Sequence, residues 1–158
     1  MNNDLTEHGV PILPSLSPYP KLLAHWQQLT QQANQYFRQE QVTAAFPLYQ
    51  QALVLAEQLL QQPLQDSTLA ALVISRHNLA DCYLLMALPM AAATELCQAW
   101  QQLESCTVRL PLHQQSMLLP HLQRCRLELQ SFLQQHGEHP AIQALLQQPP
   151  LALALTMH

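Results

Sequence analysis

Apolar residues return every third or fourth position along most of the chain, the spacing that gathers them on one side of an α-helix. Leu22, Leu23, Trp26, Leu29, Ala33, Tyr36 and Phe37 form such a stripe, predicting a first helix from about Pro20 to Glu40 with Pro20 near its N-terminus. A second runs from about Val42 to Gln62 and is ended by Pro63; Pro47 near its start implies a lost hydrogen bond, or Thr43 as the N-cap. Gln65, Asp66 and Ser67 supply a connection and cap for a third helix, about Thr68 to Ala87. Its inward positions are Leu69, Leu72, Val73, Leu79, Ala80 and Tyr83, and Arg76 breaks the stripe. Pro89 opens a fourth helix that continues to about Cys106. A fifth spans about Leu112 to His136, with Pro120 predicting a kink or a late start near Ser116. Gly137 and Pro140 mark a stop and restart before a short sixth helix, Ala141 to Gln148.

The expected fold class is therefore all-α, with five or six helices in antiparallel hairpins and the last hairpin truncated. Residues 1–19, with Pro11, Pro14 and Pro18, read as an extended N-terminal arm, and residues 20–148 as one helical domain. Residues 149–158 form an apolar tail after Pro149 and Pro150, in which Leu151, Leu153 and Leu155 alternate with alanine. No other run alternates long enough to make a sheet.

Composition narrows the partners. Only two glycines occur in 158 residues, so left-handed turns have few natural hosts. Charged residues are 10% of the chain and Lys plus Arg number six, for a formal charge of −4. Such a chain lacks the basic stripe that binding to a phosphate backbone requires, which argues against nucleic acid. No apolar run reaches membrane-spanning length, and the first residues lack the basic and apolar regions of a secretory signal. Cys82, Cys97, Cys106 and Cys125 are widely spaced, as expected for free thiols in a reducing cytoplasm.

Two stretches superimpose without a gap: Ala33, Tyr36, Ala45, Tyr49 and Ala52 on Ala80, Tyr83, Ala92, Leu96 and Ala99. Small residues at these positions let two helix axes approach, and the large ones fill the space between them. Leu129, Phe132, Ala141 and Leu145 form a weaker third copy. This pattern resembles the tetratricopeptide repeat (TPR) family, and His77 to Tyr83 looks like the first-helix motif of the longer repeats in kinesin light chains. The interval is about 47 residues against roughly 34 for the standard repeat, which requires longer helices. The family's helix-ending proline is replaced by Glu57 and Glu104. An irregular bundle of five or six helices is the competing reading, because any antiparallel helix pair favours small and aromatic contact residues.

The resemblance implies a binding surface made by the first helix of each hairpin. By repeat offset, its partner-binding residues are Asn34, Phe37, Arg38, His77, Asn78, Asp81, Leu84 and Arg126. In some TPR co-chaperones two groove asparagines and flanking basic residues clamp a terminal carboxylate. Asn34 and Asn78 match those offsets, Arg126 lies one place away, and Thr30 stands where the first clamp lysine belongs. His77 is expected to make binding of a charged partner pH-sensitive near neutrality.

The implied function is a non-enzymatic module for a protein or peptide segment: an adaptor, assembly factor or small chaperone. A structural homodimer and a small-molecule or metal-binding bundle are the alternatives. No catalytic residue, cofactor or metal site is expected. His77, Asp81 and Cys82 together suggest a nucleophile and base, but Cys82 falls on the packing side, where a thiol is inert. His121 and Cys125 are one turn apart, and His136 and His139 flank Gly137, yet neither pair has a well-spaced third ligand.

Overall fold

The computed structural model describes residues 17–148, so the arm before Ser17 and the tail from residue 149 lie outside the described residues. Six α-helices follow in order: α1 Tyr19–Arg38, α2 Val42–Leu59, α3 Asp66–Leu85, α4 Pro89–Cys106, α5 Leu119–His136 and α6 Pro140–Gln147. Among the described residues there is no strand. Pro20, Pro89, Pro120 and Pro140 each fall in the first two positions of a helix, where no intrahelical N–H is required. Pro120 therefore starts α5 rather than kinking it. Residues Leu112–Leu118 before it form a 3-10 turn. α2 begins at Val42 and runs through Pro47, so Thr43 is not its cap.

The first two hairpins close with the same turn. Among the described residues, Glu40 and Ala87 are the non-glycine residues with positive φ, at 60° and 57°. In each turn two backbone bonds stop the helix, Glu40 N–H to Phe37 O and Gln41 N–H to Tyr36 O, then Ala87 N–H to Leu84 O and Leu88 N–H to Tyr83 O. This pattern closes the last carbonyls over a left-handed residue, a position that ordinarily selects glycine. The repeat seen in the side chains is thus also a repeat of backbone geometry. Ala87→Gly removes the Cβ crowding of the left-handed conformation and should stabilise the protein by about 0.5–1 kcal/mol. A urea melt checks it, and a lowered midpoint would mean that helix entropy outweighs the relieved crowding.

The helices make two layers. The hydroxyl of Tyr19 bonds Ser67 and accepts a hydrogen bond from Thr68 Oγ1 (3.2 Å), and Trp26 Nε1–H donates to Ser75 Oγ (2.7 Å). Contacts separated by seven residues on both helices mean that α1 and α3 run parallel and in register. His121 Nε2 meets Asp66 Oδ1 at 2.7 Å, bringing the start of α5 to the start of α3. Hence α1, α3 and α5 form one layer.

α2 and α4 form the other layer, on either side of a single buried cation. Arg76 of α3 donates from Nη2 to Glu57 of α2 (2.9 Å), from Nη1 to Glu95 of α4 (2.8 Å), and from Nε to Gln102 Oε1 (3.0 Å). The residue that looked like a fault in an apolar stripe is a tie across three helices.

The core lies between the layers. Ala33 and Ala45 are fully buried with Tyr49, Leu79 and Cys82, while Ala80, Ala92 and Ala99 pack with Leu96, Trp100 and Leu103. The paired alanines stand where helix faces close on one another, as the spacing predicts. The third copy holds less well. Leu129 and Phe132 are buried, but Ala141 is exposed and the neighbouring Ile142 takes the buried place on the eight-residue α6.

Candidate functional site

The seam between α3 and α5 holds a hollow of about 130 Å³. Asp81 and Leu84 of α3 line one side, and Glu128, Ser131, Gln135 and His136 of α5 the other. Its apolar floor includes Ala80, Leu96 and Phe132. The Phe132 and His136 rings lie 4.7 Å apart at 34°, fixing that end of the hollow.

Asp81 keeps contact with water, yet partial withdrawal from solvent and then the negative charge of Glu128 push its carboxyl up to about 6. Among the described residues neither Asp81 nor Glu128 makes a hydrogen bond or ion pair. One turn earlier on α3, His77 is buried, and neither ring nitrogen has a partner among the described residues. Burial, then the charge of Arg124 on α5, push its imidazolium down to about 4. His77 with Arg124 and Asp81 with Glu128 are successive rungs of one parallel seam, four residues apart on both helices.

The residues named from the repeat offset fare unequally. Asp81 and Leu84 line the hollow. Asn78 is half-buried on α3, and Arg38 is exposed at the end of α1. Phe37 is half-buried and meets Tyr49 edge to face, with centroids 6.3 Å apart.

Asn34 is half-buried, and its Oδ1 accepts the Tyr49 hydroxyl at 2.6 Å, which orients the carboxamide and leaves its NH₂ group to donate. Two expectations need correction. His77 is not a sensor near neutrality, because burial keeps it uncharged until far lower pH. Arg126 does not join Asp81, since it lies two residues from both Arg124 and Glu128, some 200° around α5.

The error at Arg126 has a geometric cause. Repeat translation copies the same face of each helix, so a residue of α3 that looks toward α5 maps onto one of α5 that looks away from α3. The face of α5 that looks back corresponds instead to the face of α3 turned toward α1. Ser75, which bonds Trp26, maps by the 49-residue third-copy offset onto Arg124. That relation points to Arg124 and Glu128, the residues that offset reasoning missed.

All four cysteines are buried free thiols. Burial pushes the Cys82 thiol up to about 11 and that of Cys125 up to about 12, which suppresses the reactive thiolate. Among the described residues no three His, Cys, Asp or Glu side chains gather as metal ligands, and no helix is long and apolar enough to cross a membrane. Compared with family models, the chain matches over residues 24–156 one described as "Protein of unknown function (DUF2753)". No curated protein matches it.

Proposed function

We propose for this chain, which belongs to the DUF2753 family, a non-enzymatic role: binding an extended segment of a partner protein along the face made by α1, α3 and α5. One observation carries the reading. The hollow at Asp81, Leu84, Glu128 and Phe132 combines polar groups that have no partner among the described residues with apolar surface, the mixture that orients and holds a ligand. The two-layer hairpin arrangement and its resemblance to TPR proteins agree with this role, as does the suppression of cysteine reactivity. A cytoplasmic setting suits four free thiols.

The test is to probe an array of short peptides with the full chain, then map the retained peptide by amide NMR. Shifts should cluster at Asn78, Asp81 and Leu84 on α3 and from Glu128 to Gln135 on α5. Shifts confined to the outer faces of α2 and α4 would overturn the assignment.

A homodimer is the second reading, favoured by a shallow apolar hollow of about 240 Å³ on the first hairpin, where Leu29 meets Val54 and Leu55 and which no other described residue covers. Val54 is 54% exposed there. Sedimentation of the wild type beside Val54→Glu decides it, since a dimer through this hollow would dissociate in the variant.

A further inference from the structure

We propose that the α3–α5 hollow is a pocket for a basic side chain of the bound segment, a lysine or arginine whose cationic end sits between the carboxylates of Asp81 and Glu128. The inference rests on the peptide-binding reading and specifies its chemistry.

Size is the first argument. At about 130 Å³ the hollow has room for about four waters, or for the end of one long side chain. Cofactor and drug-sized pockets begin at about 300 Å³, so a larger ligand does not fit.

Charge is the second. Asp81 and Glu128 line the hollow from opposite sides of the seam, and among the described residues neither forms an ion pair. The charge of Glu128 disfavours the ionised form of Asp81, and a cation placed between them converts that repulsion into attraction. The charged groups around Asp81 leave this role open. Arg124 lies one turn back and acts on His77, Arg38 approaches from α1, and neither makes an ion pair with Asp81 or Glu128 among the described residues. The remaining titratable neighbours are His136 on α5, Cys82 on α3 and the Tyr49 phenol on α2, which remains protonated near neutrality.

The third argument is the lining beside the carboxylates. The floor of Leu84, Leu96 and Phe132 suits the methylene stem of Lys or Arg, and Ser131 and Gln135 provide further oxygens at the rim.

A divalent metal is the less favoured occupant, because two carboxylates without a third ligand do not close a coordination shell.

The experiment uses the full chain and sets of acetylated, amidated peptides identical except for a central Lys, Arg, Gln or Glu. Peptides with Lys or Arg should bind about tenfold more tightly than their Gln forms at about pH 7.5, and lose part of that advantage at about pH 5, where Asp81 takes up a proton. The Asp81→Asn/Glu128→Gln variant should lose the same advantage without a lower melting temperature. Glu128→Gln alone, which keeps the Asp81 carboxylate, should lose part of it. Equal binding of Lys and Gln forms, or of the Lys form by wild type and double variant, overturns the basic pocket while leaving the peptide-binding reading intact. Failure of every peptide to bind overturns both. Saturable binding of Ca²⁺ or Mn²⁺ alone, abolished in the double variant, would identify the hollow as a metal site and overturn the proposal.

Discussion

Arg76→Ala should destabilise the fold by about 3 kcal/mol, because it strips the cation from a buried ion pair and leaves Glu95 uncompensated. The Arg76 and Glu95 side chains are 9% and 13% exposed, so water replaces little of what is lost. Glu57 is 45% exposed and its share is screened, which places the effect at the low end of the range for buried pairs. Glu95→Gln should cost less, since Arg76 keeps Glu57 and the Gln102 carboxamide as partners. Urea melts of both variants and the double variant give the coupling energy directly. A wild-type midpoint for Arg76→Ala would show that the tie across α2, α3 and α4 contributes nothing.

The second large effect is acid sensitivity centred on His77. Its folded-state value of about 4 lies below the ordinary 6.5, so between those limits the unfolded chain binds a proton that the folded chain refuses. Stability is therefore unaffected above about pH 6.5 and falls as pH drops toward 4, by about 3 kcal/mol at completion. Asp81 works in the opposite sense. Its carboxyl is raised from 3.8 to about 6, so the folded chain takes up the extra proton and gains stability as pH falls through 6.

From this pair of groups the wild type should show a muted decline, His77→Leu a gain in stability, and Asp81→Asn the steepest decline. Urea midpoints at about pH 7 and about pH 4.5 separate the three. Parallel pH dependence in all of them would mean that neither side chain titrates as its surroundings imply. The two groups sit one turn apart on α3, and the helix is thereby buffered against acid by the same seam that offers the candidate pocket.

Much of the fold was legible in the chain itself because local rules dominate where helices begin, end and touch. Pro20, Pro89 and Pro140 mark helix starts through their missing N–H, and α4 runs from Pro89 to Cys106 as the pattern predicts. Ala33 with Ala45 and Ala80 with Ala92 reveal the close packing of two hairpins, since only small side chains fit there. What misled was chemistry that depends on partners remote in sequence. Arg76 looked out of place because Glu57 and Glu95 stand 19 residues away on either side, on helices whose meeting no local pattern announces.

The candidate site divides in the same way. Asp81 and Leu84 were legible from helical spacing, which places them on one face of α3 whatever surrounds them. Glu128, Arg124 and Ser131 were not, because repeat offset copies the same face of each helix whereas a groove is made by opposing faces of neighbours. Sequence by itself determined the helices and the small residues at their crossings, since backbone hydrogen bonding and steric fit act over a few residues; the left-handed turns at Glu40 and Ala87, where no glycine stands, emerged only in the structure. Only the tertiary structure decided that Arg76 is paired, that His77 is buried and uncharged, and that Asp81 faces Glu128. Each of those depends on desolvation and charge between helices far apart along the chain.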